Sequence, residues 1–252
     1  MAIEGANLEL AIRRYWTERF DLKLRAWEMP GSKVMRDEIF DDSDEIYLYR
    51  LGKYRLLRMD PAKVNWIQWP DDLKTRSVEA ADLLSWVKNG TEIRLGEKHL
   101  TQYLEPSRFL PAAPVDGLET RRVDPVADDH LLRELLSQCS EEDIDNAEIY
   151  LDKPDPVIFA GFDQGRMVSY ASHRYWGENI ADIGVLTHPK YRHRSLGKAI
   201  VSTLCAWCLE NEVIPMYRVE SEHFRSRKIA EALGFDLRVE IEVLEFISPE
   251  PE

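Results

Sequence analysis

Apolar positions recur along this chain with two different periods, and the places where the period changes mark out its elements. In the first twenty residues Leu8, Ile12, Tyr15, Trp16 and Phe20 fall at spacings of three and four, which predicts an amphipathic packing helix. Glu45 to Met59 holds two β-rich runs on either side of Leu51-Gly52-Lys53, the signal of a short hairpin. Val78 to Asn89 returns to the helical period, with Ala81, Leu84, Trp86 and Val87 on one side. A small α+β unit is expected here, its tryptophans serving as packing. Pro106, Pro111, Pro114 and Gly117 then interrupt every pattern and read as an interdomain linker, placing a boundary near residue 118.

Beyond that boundary strands and helices alternate. Glu119 to Val123 reads as a strand and Asp128 to Cys139 as a helix; Ser140 is suited to N-cap a second helix whose acidic first turn complements the dipole. Val157 to Trp176 gives two strands joined at Asp163-Gln164-Gly165, and the strand from Ile180 ends at Pro189. A helix from Ser195, the strand Ile214–Glu220, a helix over Phe224 to Phe235 and a last apolar run, Leu237 to Ile247, complete the series. The order predicts a mixed, mostly antiparallel sheet covered on both faces, an α+β (mixed α/β) fold over residues 119–252 preceded by an α+β accessory domain over 1–118.

The 252 residues are 44% hydrophobic, enough for a substantial core. No apolar run approaches the roughly 20 residues that span a bilayer, and Glu4 and Glu9 stand where an export signal would be basic and then apolar, so a cytoplasmic protein without membrane contact is expected. Of the three cysteines, Cys205 and Cys208 form a C-x-x-C within an apolar helical run, which favours buried thiols over redox or metal chemistry; no metal site is expected. The net charge is −13, and residues 119–252 carry most of it, with 15 Lys and Arg against 26 Asp and Glu. Such a domain repels nucleic acid; its charge serves either solubility or attraction of a cationic substrate.

Against that acidic background Lys190, Arg192, Arg194 and Lys198 stand within nine residues, between the end of a strand and the start of a helix. Helix N-termini offer unpaired N–H groups and a partial positive charge, and small residues let the backbone approach, so an anion is expected. The glycine spacing of a Walker A loop or a dinucleotide fingerprint is missing.

Arg192-His193-Arg194-Ser195-Leu196-Gly197 resembles the pyrophosphate loop Q/R-x-x-G-x-G/A of the GNAT superfamily, with Ser195 at the first glycine. His223 to Phe235 resembles the second signature of the same superfamily, N-x-x-S-x-x-x-Y-x-x-x-G-F, with Ser226, Gly234 and Phe235 kept, His223 for Asn and Ala230 for Tyr. The string from Ala181 to Gly197 is similar to a bacterial group of two-domain GNAT proteins. The resemblance covers roughly the last 130 residues and implies an acyl-coenzyme A dependent N-acetyltransferase with direct transfer in a ternary complex. It further implies that backbone groups of Val185, Leu186 and Thr187 pair with the pantetheine arm, that residues 192–198 (His193, Leu196 and Lys198 included) and Ser226 hold the cofactor, and that a bulge near Leu186 supplies an oxyanion N–H.

A primary ammonium, with a pKa near 10.4, needs a base before it can attack. Asp182 is the leading candidate, on the binding strand where some relatives carry glutamate, with Glu148 and Glu220 in reserve. Against this, Asp182 reads equally as a strand-edge carboxylate. His223 either relays protons or caps the following helix. Because Ala230 replaces the usual tyrosine, the leaving thiolate meets Tyr191 or Ser226, or departs unassisted. Glu141, Glu142, Asp143, Asp145 and Glu148 cluster on the helix that by resemblance lines the acceptor entrance, suggesting a small cationic amine; a solvated helix face explains them as well. The alternatives are a protein lysine or N-terminal acetyltransferase and a non-catalytic acyl-coenzyme A sensor. Homodimerisation is expected from its frequency alone.

Overall fold

The architecture comes from a computed structural model, which describes residues 5–88, 90–151, 153 and 155–247. In chain order the elements are α1 (Gly5–Arg19), β1 (Gly31–Arg36), β2 (Glu45–Leu51), β3 (Tyr54–Met59), α2 (Ala80–Trp86), β4 (Glu92–Tyr103), β5 (Glu119–Arg122), α3 (Asp129–Leu136), α4 (Glu141–Asn146), β6 (Val157–Asp163), β7 (Arg166–Trp176), β8 (Ile180–Thr187), α5 (Leu196–Glu210), β9 (Ile214–Glu220), α6 (Phe224–Leu233) and β10 (Asp236–Ile247). Short 3-10 turns connect several of them.

The contacts divide the chain into two units. One comprises residues 1–8, 102–218 and 225–236, the other 9–101, 219–224 and 237–252. The chain passes between the units several times, at 101/102 among other places, and its last strand joins the unit that holds most of the N-terminal half. The proline-rich stretch is pinned to the first unit: the Leu110 N–H donates to the Leu233 carbonyl at 3.1 Å, and the Ala112 N–H to Ser202 Oγ at 2.9 Å. Prolines cannot donate, but the residues between them can, and their N–H groups find partners.

In the second unit the strand order is β1-β3-β2-β10-β4. The Gly52-Lys53 turn joins β2 and β3 as the pattern predicts, with Gly52 at φ 59°. Two strands escape the periodicity reading. β1 pairs parallel to β3, a contact no local signal announces, and β4 begins with largely exposed residues rich in charge. Helix α2 is shorter than expected, because Val87 leaves it to bridge Ile67; Asn89 lies outside the described residues. Trp16 of α1 and Phe20 just beyond it stack on each other at 5.8 Å, and Phe20 meets Tyr49 edge-on at 4.9 Å, so the predicted apolar stripe does pack.

In the first unit the order is β9-β8-β7-β6-β5. The neighbours run antiparallel except β8 and β9, which are parallel. Side chains alternate across it as strand geometry requires. Ile158, Phe162, Tyr170 and Leu186 pack with Leu132, Leu135 and Leu136 of α3, while on the other face His173 stacks on Trp207 of α5 at 5.7 Å. Ser140 caps α4 in a reciprocal box with Asp143. Cys205 and Cys208 are free, buried thiols in α5, and burial pushes Cys208 up to about 12. Among the described residues no helix is long and apolar enough to cross a membrane.

Candidate active site

Strand β8 is the spine of the site. Its pairing with β7 runs without a register shift from Ser169↔Thr187 to Trp176↔Ile180, so the bulge expected near Leu186 is absent. The opening arises on the other edge. The parallel ladder between β8 and β9 holds for Ile180↔Ile214, Ala181↔Pro215 and Asp182↔Met216 and then stops. From Ile183 to Thr187, β8 has no ladder partner on β9, and this stretch contains Val185, Leu186 and Thr187. A wedge with a strand edge that lacks a ladder partner on one wall accepts an extended, amide-bearing chain as a further strand would be accepted.

The turn after β8 is held by its own side chains. His188 Nδ1 accepts from the Lys190 N–H at 3.1 Å, and the Tyr191 hydroxyl donates to Asp163 Oδ2 at 2.7 Å. Arg192 reaches back instead of outward: its Nε donates to the Thr187 carbonyl at 3.2 Å, and Nη2 lies 2.8 Å from Asp143 on α4. Arg194 stacks on Tyr191 at 5.3 Å. His193 and Ser195 both take left-handed backbone, at φ 65° and 63°. Ser195 is the N-cap residue of α5 in position, yet its side chain makes no capping hydrogen bond. Gly197 sits where a Cβ would stand 3.2 Å from Thr187 Oγ1, 3.4 Å from Ile229 Cδ1 and 3.6 Å from Val185 Cγ2. The first turn of α5 thus lies against the open part of β8, with Leu196 buried beneath it and Lys198 half-buried.

A charged cluster occupies the α4 side, where the β8–β9 ladder ends. Asp182 is buried. Arg218, two residues beyond its ladder partner Met216, donates from Nε and Nη2 to Asp182 Oδ2 at 2.8 and 2.6 Å, and from Nη2 to Glu148 Oε1 at 2.5 Å. The Arg218 guanidinium stacks on Trp176 at 4.5 Å. Behind it, Arg174 pairs with Glu148 Oε2 at 3.6 Å and with Asp155 at 3.1 Å, and Ser172 Oγ donates to Asp155 at 2.5 Å. Burial raises Asp182 to about 6 even though Arg218 pulls the other way, because a carboxylate with so little water loses much of its solvation. Burial likewise opposes the charge on Arg218, but Asp182 and Glu148 outweigh it and hold the guanidinium above its ordinary range. Glu148 adopts φ 51°, a conformation L-residues avoid, at the exit of α4.

The residues anticipated as catalytic therefore separate. Asp182 and Glu148 come together on Arg218. Tyr191 does not join them: it follows Thr187, and five strand residues already span about 17 Å. Its hydroxyl is committed to Asp163. Glu220 and His223 are exposed residues of the second unit, where the His223 N–H bonds the Glu220 carbonyl. Ser226, in the first turn of α6, neighbours Tyr217; burial pushes the Tyr217 phenol up to about 12, with the Ser226 hydroxyl pulling it down. Arg218 and Arg174 belong to no motif in the sequence, although a single arginine inside the apolar run IPMYRVE is a usable signal. Beside the cluster, Val123, Leu132, Ile149, Tyr150, Leu151 and Tyr170 line a small groove with a volume of about 70 Å³.

Residues 158–244 match the family model described as GNAT acetyltransferase. That stretch of the chain is similar to the GNAT acetyltransferases. Solved structures are similar to this chain. An acetyltransferase of the GNAT family from Colwellia psychrerythraea is similar at 11% identity and TM-score 0.52, covering 81% of this chain and 65% of that one. A protein assigned to the GNAT acetyltransferases from Novosphingobium aromaticivorans aligns at 18% identity and TM-score 0.47, over 64% of this chain and 69% of its own. A GCN5-related N-acetyltransferase from Kribbella flavida aligns at 15% identity and TM-score 0.45, over 63% and 61% respectively. No curated protein matches the sequence. GNAT acetyltransferases use acetyl-coenzyme A, and the residues here suit it: an open strand edge for the amides of its arm, and a glycine at the first turn of α5 where a Cβ would crowd Thr187.

Proposed function

We propose that this GNAT domain moves an acetyl group from acetyl-coenzyme A to the primary amine of a small cationic molecule, directly and within a ternary complex. The observation that carries the reading is the end of the β8–β9 ladder at Asp182, where an open strand edge and a buried carboxylate meet. Val185, Leu186 and Thr187 would take the arm of the cofactor, the turn from Arg192 to Lys198 and the start of α5 its diphosphate, and Ser226 would line the α6 side. The bound cofactor supplies an activated acetyl thioester. Asp182 takes the proton that the acceptor ammonium must lose, for which a carboxyl near pH 6 is better matched than an ordinary one.

A cationic acceptor is supported by the exposed Glu141, Glu142 and Asp145 on α4, next to the element that presents Glu148. A small acceptor is supported by the groove at Ile149, Tyr150 and Leu151, which directly follow Glu148. The test is thiol release from acetyl-coenzyme A across a panel of polyamines, aminoglycosides, amino-acid amides, lysine peptides and neutral amines. Turnover concentrated among small cations supports the reading. Turnover of peptides alone would point to a protein acceptor, and cofactor binding without turnover of any amine would leave a sensor.

A further inference from the structure

We infer that Arg218 is a positioning residue for this reaction: it clamps Asp182 by one oxygen and Glu148 by another, so that Asp182 Oδ1 and the outer edge of Glu148 face the acceptor amine together. The inference rests on the acetyl-transfer reading and deepens it. Both bonds from Arg218 to Asp182 fall on Oδ2, which makes Oδ1 the oxygen that Arg218 does not hold. The same Nη2 reaches Glu148, so one planar group fixes the distance between two carboxylates that would otherwise repel. Trp176 lies under the guanidinium and sets its plane, and Arg174 braces Glu148 from behind, through the carboxylate and through its main-chain carbonyl at 3.2 Å.

The charges explain the acceptor class. Asp182, Glu148 and Asp155 bring three negative charges, Arg218 and Arg174 two positive ones, and the remaining charge is the one an ammonium satisfies. In the step, the ammonium N–H bond breaks, its proton forms a bond to Asp182 Oδ1, and the lone pair left on nitrogen attacks the acetyl carbon; the carbon–sulfur bond then breaks, the sulfur leaves as the coenzyme A thiolate, and the second proton that nitrogen sheds restores the thiol. Asp182 returns the proton to solvent as product leaves. Arginine, always protonated, takes no proton itself.

The groups facing Asp182 are Arg218 from β9, Arg174 from β7 and Glu148 from the end of α4. Arg218→Met removes the nearest positive charge, so the acid limb of the kcat/KM profile should move up by about one pH unit or more, with a fall in the plateau. Arg218→Lys should keep the limb near its original place while lowering the plateau, since lysine carries the charge without the fork. Glu148→Gln, which leaves Arg218 bonded to Asp182, should move the limb down. Loss of activity without displacement of the limb in Arg218→Met, or an unmoved limb in Glu148→Gln, would overturn the inference. Wild-type protein that acetylates no amine would sink the acetyl-transfer reading instead. The carboxyl titration of Asp182 followed by NMR separates the two: an identical midpoint in wild type and Arg218→Met defeats the positioning role alone.

Discussion

A Cβ on Gly184 would lie 2.2 Å from the carbonyl oxygen of Ala147. The contact is backbone against β8, and Ala147 immediately precedes Glu148, whose left-handed conformation turns its side chain toward Arg218. A methyl group at this position cannot be relieved by a rotamer change, so either β8 or the exit of α4 must shift. Gly184→Ala should therefore cost about 1–3 kcal/mol of stability. It should also raise KM for the amine more than KM for acetyl-coenzyme A, because the displaced residue is Glu148. Denaturant unfolding and the two Michaelis constants check both parts; equal changes in the two constants would separate Ala147 from the acceptor side.

The sequence announces those parts of the molecule that local chemistry decides. Ser140 and Asp143 form the capping box that their spacing allows, Gln164-Gly165 turns β6 into β7, and the loop from Lys190 to Lys198 does join a strand to a helix. What it conceals depends on partners distant in the chain. Arg192 reads as an outward anion ligand, yet its guanidinium folds back onto Asp143, and nothing near residue 192 reveals that. β1 and β4 find their places through neighbours far along the chain, and the wedge depends on where a parallel ladder stops. Asp182 and Glu148 were both legible as acids; the arginine that joins them was not, because its role exists only once β9 lies beside β8.

Ser195 holds φ 63°, where glycine is at ease and an L-residue with a Cβ costs about 1–2 kcal/mol. Its hydroxyl makes no compensating cap. Ser195→Gly should remove the strain and, after the larger entropy of an unfolded glycine is subtracted, leave the protein more stable by up to about 1 kcal/mol. Ser195→Val should be destabilised by more than that. Denaturation midpoints for the three proteins provide the check, and a Val variant as stable as wild type would show that the loop relaxes at no cost.

Gly197 separates folding from cofactor binding. The nearest atom to an added Cβ is Thr187 Oγ1 at 3.2 Å, tight but movable, so Gly197→Ala should unfold within a few degrees of wild type. The methyl would nevertheless stand against the open stretch of β8, between the first turn of α5 and Ile229 of α6. Calorimetry should show acetyl-coenzyme A bound about tenfold more weakly or worse, a loss of roughly 1.4 kcal/mol. Unchanged affinity would place the cofactor elsewhere.

Asp182 gives the last prediction its sign. Burial raises its carboxyl from 3.8 to about 6 in the folded protein, so the native state holds this proton more tightly than the unfolded chain does. The associated stability is fully present below pH 3.8 and is lost as pH climbs through 6, opposite in direction to an ordinary paired carboxylate. Two pH units correspond to about 3 kcal/mol, an upper figure because Arg218 and nearby water relax when the group ionises. Asp182→Asn should therefore flatten the decline in unfolding free energy between pH 4 and pH 7 that the wild type shows from this group. The same titration governs the proposed base, so kcat/KM for the amine should rise through about pH 6 in wild type and lose that limb in the asparagine variant. Unfolding curves with equal pH slopes in the two proteins would mean that Asp182 keeps an ordinary carboxylate pKa, and the acid limb would then belong to another group.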